Sequence, residues 1–427
     1  MDHDMETINA GLKNLPANLE TQLEVPFGPY DGTPASQLGI PRYLFRVFSD
    51  KSTGQNDRQW MKSLGATKGN LTDTFDRDGD DIAIALNDHV RGHHSLLPPS
   101  PFISWTTSLA VALQYAIYKH KFMGEPMNKI QFCVIDTTDF PNGTFLQDLV
   151  LMREFQGRIK DDTVIIISQG SEPWSSGGLP NMLFLRGLKS KDYAGTYYFG
   201  EYLAQGQLCI ENRSFVESCD KIITKDLLNM IPALKANMTY QTSLWAKAVL
   251  QLREPFYSPG KARPISEKDI TPIRKIVDVF DGKWKVVMFA SLLGLYPRRM
   301  EDLEFANVPL GLVPDEILDK CLSQKTAIDT SVHMPEVTQF GQLIEKVSEE
   351  YCLRCVNKLR RYIRREADVL ARIQEDLDSL KEAHENAQRI MLAVERMERP
   401  VKIDQFCTGE IWRKVEMLQV ALEHLEL

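Results

Sequence analysis

Eleven positions from Leu359 to Val394 step alternately by four and three residues: Leu359, Ile363, Glu366, Leu370, Ile373, Leu377, Leu380, His384, Ala387, Met391 and Val394. A phase held over more than four heptads, with flanks rich in Arg, Lys and Glu, restricts this part of the chain to one long helix or a helical hairpin. The pattern spans about residues 341–398 and ends at Pro400. A further amphipathic helix is expected over 409–425, folded back on the long one or joined to a partner. The helical region as a whole runs over 273–427, with "IRKIVDVF", "WKVVMFASLLGLY" and "PDEILDKCLSQ" as its earlier helices.

The N-terminal half has a different texture. Residues 1–38 read as a polar leader and 39–252 as an α+β domain. "RYLFRVFS" (42–49) alternates and is rich in aromatics, as a strand does. "DIAIALNDHV" (81–90) has helical spacing, with acids placed to meet a helix N-terminus. "SPFISW" is a short strand, and "SLAVALQYAIYKH" is a helix that Thr107 or Ser108 would cap. "KIQFCVIDT" and "DTVIIIS" (162–168) are apolar, β-branched runs of strand length. "GTYYFGEYLAQGQLCIE" reads as strand, Gly206 break, strand. "CDKIITKDLLNMIPAL" (219–234) reads as a closing helix ended near Pro232. Residues 253–272, with four prolines and many charges, read as a linker.

Composition limits the function classes. The 427 residues are 43% hydrophobic and carry a net charge of −8, which argues against a nucleic-acid footprint. The longest apolar run is too short for a bilayer, and the N-terminus has no signal-peptide pattern, so no membrane partner is expected. Residence in the cytosol or nucleus follows as the default. Seven scattered cysteines fit a reducing compartment. Cys352-Leu-Arg-Cys355 lacks the second pair a zinc site needs. "FDRDGDDIAI" has Asp81 and Asn87 where a calcium loop needs Gly and Glu. His89, His93 and His94 crowd one segment without an adjoining acid cluster. No metal is expected. No phosphate-binding P-loop and no hydrolase or metalloprotease motif occurs.

One spaced set remains. Arg46 ends a strand, His89 follows a helix, Ser104 and Thr106 end a strand, and Glu201 opens one. Each has a plain structural reading as an ion pair, a cap or an edge residue. Together they supply an anion clamp, a hydroxyl and a carboxylate, which suits N-glycosidic cleavage of a dinucleotide. Arg grips a pyrophosphate or fixes backbone. A carboxylate binds a ribose hydroxyl and stabilises an oxocarbenium-like transition state. Trp105 alternates to the face opposite Ser104 and Thr106, so it belongs in a core.

These residues resemble the ADP-ribosyltransferase superfamily, in its Arg–Ser–Glu branch typified by the cholera and pertussis toxin catalytic subunits. "LFRVFSDKS" is similar to that branch's first strand, "NDHVRG" to its His segment, "FISWTTS" to its Ser-Thr-Ser strand and "EYLAQGQL" to its catalytic Glu strand. The stretch from about Pro41 to Leu234 also resembles a domain of uncharacterised function that is widespread in filamentous fungi. The resemblance implies a fold of split mixed or antiparallel sheets with helices. It implies NAD as substrate: Arg46 organising the site, His89 contacting NAD, Ser104 supporting the catalytic Glu, Glu201 as that Glu, and Thr106 beside them. The nicotinamide–ribose bond would break, with ADP-ribose passing to an acceptor or to water. Phe199 stands where arginine-modifying members carry a second Glu. It points instead to an inactive scaffold acting through the C-terminal helices, by self-association or with a partner helix.

Overall fold

The computed structural model describes residues 24–28, 39–93, 98–158, 178–187, 195–239, 245–258, 260–299, 303–322, 334–396 and five residues between 413 and 420. The chain divides into two compact units, Met1–Tyr351 and Cys352–Leu427. The strands are β1 (Tyr43–Phe48), β2 (Gln55–Asn56), β3 (Trp60–Lys62), β4 (Phe102–Thr106), β5 (Gln131–Asp136), β6 (Leu146–Gln147), β7 (Glu201–Gln205), β8 (Gln207–Cys209) and β9 (Ser214–Ser218). The helices that matter here are α1 (Gly79–Val90), α2 (Leu109–Phe122), α3 (Asp148–Phe155), α4 (Gly178–Gly187), α5 (Trp245–Tyr257), α6 (Glu267–Val277), α7 (Trp284–Leu293), α8 (Asp315–Leu322) and α9 (Pro335–Glu395).

The first unit is built on two antiparallel sheets, one ordered β6-β7-β4-β1-β5-β9 and one ordered β2-β3-β8. Alternation along the strands sorts their side chains. Leu44, Phe48, Ile103, Trp105, Cys133 and Tyr202 meet Met61 and Leu208 of the small sheet in one core. Tyr43, Phe45, Val47, Phe132 and Val134 point the other way, into a second core with α2, α6 and α7. On that same face Phe102, Leu146 and Leu203 pack separately against α1, α3 and α4. Two helical layers therefore share one face of the large sheet. Trp105 is 2% exposed and lies opposite Tyr202, the core role expected of it.

Gly206 carries the chain from one sheet to the other. Its φ of +63° is open to glycine at little cost and lets β7 end and β8 begin in the second sheet. Ser108 caps α2, accepting from the Val111 amide at 3.3 Å. The closing helix expected at 219–234 is instead three short helices, Cys219–Ile222, Lys225–Met230 and Pro232–Thr239. Pro232 starts the last of them rather than ending the first, because proline suits the first helical turn, where its missing N–H costs nothing. The run "DTVIIIS" (162–168) lies outside the described residues, as do most of residues 1–38 and most of 409–425.

The proline-rich residues 253–272 hold the end of α5 and the start of α6. Arg253 there is fully buried and paired with Glu336 at 2.8 Å. The first turns of α9 belong to the first unit: Phe340, Leu343, Ile344 and Val347 join the core of α6 and α7. In the second unit α9 presents Leu359, Ile363, Leu370 and Ile373 to solvent, each more than half exposed. No helix among the described residues is long and apolar enough to cross a membrane.

Candidate active site

The five candidate residues come from three neighbouring strands and one helix. β4 and β7 are fully paired, with Thr106 opposite Glu201 and Ser104 opposite Leu203. Residues directly opposite share a face, so Ser104, Thr106 and Glu201 all project to the side that carries the helices. Ser104 and Glu201 are diagonal neighbours, a relationship that spans roughly 7–8 Å between backbones. His89 closes the last turn of α1 above them. Its Nε2 is 2.7 Å from Ser104 Oγ and its Nδ1 is 2.9 Å from Ser100 Oγ. Phe102 meets the imidazole edge-on, with ring centroids 5.7 Å apart.

Arg46 plays a different part. β1 and β4 are adjacent, yet their register consists of one pair, Phe45 with Thr106. β1 and β5 are registered over six pairs. Beyond Phe45 the ladder opens, and the Arg46 guanidinium occupies the opening. Nη1 donates to the Ser104 carbonyl at 2.6 Å and Nη2 to Asn56 Oδ1 at 2.8 Å. The side chain supplies a donor where the β1 backbone no longer does, which is how the sheet tolerates a split at its centre. Nε is buried without a hydrogen-bond partner among the described residues. Burial pushes this guanidinium down to about 10, although Tyr115, Cys133 and Glu201 act in the opposite direction.

Glu201 does not meet Ser104. Its Oε2 accepts from Arg186 Nη2 at 2.6 Å. Arg186 lies on α4, is 5% exposed, and its Nε is 3.4 Å from the buried Asp148 at the start of α3. Burial opposes its charge, but Asp148 and Glu201 outweigh that and raise its pKa above the ordinary arginine value. The Phe199 ring covers the guanidinium at 5.3 Å and packs on Trp245 at 4.7 Å. Phe199 thus fills the place two residues before Glu201 with an aromatic wall.

The segment leading to Glu201 is held by backbone contacts. Thr106 Oγ1 donates to the Phe199 carbonyl at 2.7 Å, and the Thr107 amide donates to the Gly200 carbonyl at 3.0 Å. Arg253 Nη1 donates to the Tyr198 carbonyl at 2.6 Å. The partner of Arg253, Glu336, also accepts from Ser108 Oγ at 2.6 Å. One buried ion pair thereby ties the α2 cap, the approach to Glu201 and the start of α9 together. Beside Arg186 a cavity of about 440 Å³ opens, lined by Leu149, Arg153, Gln156, Leu183 and Tyr198.

Sequence reasoning missed Arg186, Asp148, Arg253 and Glu336. Only the position of Glu336 in the first turn of a helix carried any signal, and that signal speaks for a helix end rather than for a partner. Among the described residues no group of three His, Cys, Asp or Glu side chains could hold a metal. His94 lies outside those residues.

A family model described as a domain of unknown function, DUF7587, matches residues 39–164. No curated protein and no solved structure matches the chain.

Proposed function

We propose that residues 39–252 form an ADP-ribosyltransferase-like domain that binds NAD over the split between β1 and β4. The observation that carries this reading is the placement of Arg46, Ser104 and Glu201 on three consecutive strands, with the Arg46 guanidinium inside the split. Arg46 fixes the strand edges that a dinucleotide would cross. Ser104 and His89 form a hydroxyl–imidazole pair suited to a ribose or phosphate. Glu201 is the carboxylate that would stabilise an oxocarbenium-like centre when the nicotinamide–ribose bond breaks. The electron pair of that bond leaves with nicotinamide, and the ribose carbon takes an acceptor nucleophile or water.

In the arrangement described, Arg186 neutralises Glu201. Catalysis requires the carboxylate to leave Arg186 and turn along the sheet toward Ser104, its diagonal neighbour. Nicotinamide release from NAD by the purified chain tests this. Release that disappears in Glu201→Gln, with the fold unchanged by circular dichroism, supports the reading. Release that survives the substitution counts against Glu201 as the catalytic group.

The Arg186–Glu201 contact and the aromatic Phe199 favour a second reading, in which the domain binds without turning over and the protein works through its C-terminal helices. NAD binding without nicotinamide release supports that version.

A further inference from the structure

The second unit poses a separate question, independent of NAD. On α9, residues 352–365 carry six basic side chains and no acid, whereas residues 366–385 carry seven acids and two bases. The same stretch carries the heptad seam, and extending its phase backward adds Val356 and Cys352. Val356, Leu359, Ile363, Leu370, Ile373 and Leu380 are all exposed. An apolar seam of this length has to be covered, and its charge decides by what.

We infer that the seam is covered by a second copy of this chain running antiparallel. Parallel, in-register pairing would lay six bases against six bases. It would also set Glu366 against Glu366 inside the seam, where like charges repel. Antiparallel pairing lays the basic half of each helix on the acidic half of the other. The basic run is centred near Arg360 and the acidic run near Asp376. Superposing those centres also brings the seams into phase. Ile363 then faces Ile373 of the second copy, Leu359 faces the half-buried Leu377, Val356 faces Leu380, and Glu366 faces Leu370 rather than its own equivalent. The register that satisfies charge is the register that pairs the apolar residues, and neither pattern requires the other.

The full-length chain tests this. Sedimentation at low salt should give twice the 48.7 kDa chain mass. The dimer should weaken at least several-fold as salt rises, because the charges lie at the rim. Orientation is read by disulfide trapping in a Cys352→Ser, Cys355→Ser background. Chains carrying Ile363→Cys alone, or Ile373→Cys alone, should not link to themselves. A mixture of the two should link. A monomer at high concentration overturns the inference. Self-linking of either single variant means parallel pairing and overturns it too. So does a dimer that survives Ile363→Asp, since some other surface would then be holding it.

Discussion

Arg186 stands 2.6 Å from Glu201 and 3.4 Å from Asp148, so one buried guanidinium serves two carboxylates from different elements. A cation shared in this way is hard to remove. Arg186→Leu takes the guanidinium away from the fully buried Asp148, and breaking a buried pair from one side typically costs about 3–5 kcal/mol. Urea unfolding should show a loss of that order. Replacing Asp148 as well, in Arg186→Leu/Asp148→Leu, should recover part of it, because the fully buried carboxylate is then gone and only Glu201, which keeps some contact with solvent, has lost the guanidinium.

Gly200 precedes Glu201 with a φ of +62°. A Cβ there would run into Thr107 Oγ1 and into the Met334 side chain at 2.8 Å. Gly200→Ala combines left-handed strain of about 1–2 kcal/mol with that clash. It should lower stability by more than Gly69→Ala, where a Cβ meets nothing within 4 Å and only the backbone strain of a φ of +84° applies. Thermal denaturation of the two variants side by side measures the difference.

The Arg253–Glu336 pair holds the approach to Glu201 from the far side. Glu336→Gln weakens the grip on Arg253 and on Ser108 Oγ together. The amides of Thr107 and Val111, which depend on the Gly200 carbonyl and on Ser108, should then exchange faster with solvent. A variant with unchanged hydrogen exchange at these two amides would show that the pair does not anchor this segment.

Acid sensitivity has a specific source in the helical layer. Burial acts to raise the Asp269 pKa, but Arg298, Ser266 and Arg263 outweigh it and hold the carboxyl below its ordinary value. A carboxylate depressed in the folded state stabilises the fold above its unfolded pKa of about 3.9, and that contribution is lost as pH falls through the folded value. Wild type should therefore exceed Asp269→Asn in stability at pH 6. The gap should narrow steadily below about pH 4. A gap independent of pH would mean that the hydrogen bonds alone, and not the charge, matter at this site.

Much of this architecture is legible in the sequence where its cause is local. The heptad seam dictates α9, the alternation in "RYLFRVFS" dictates β1, and the hydroxyls of "WTTS" dictate the α2 cap. Trp105 falls on the core side by parity alone. What is not legible depends on pairs brought together by folding. Glu201 and Arg186 are 15 residues apart and Arg253 and Glu336 are 83 apart. No local spacing announces either pair. The split between β1 and β4 is likewise a matter of register, which strand propensity does not encode. Pro232 was ambiguous for a further reason: proline serves equally at the end of one helix and at the start of the next.

The central claim is that NAD binds over the opened β1–β4 ladder, and calorimetric titration of the full chain with NAD measures it most directly. Saturable one-site binding is expected for wild type. Arg46→Lys keeps the charge but loses the two-pronged contact with Ser104 and Asn56, so it should bind at least about tenfold more weakly while remaining folded by circular dichroism. An absence of heat with wild type, or equal affinity in the two proteins, would contradict the account.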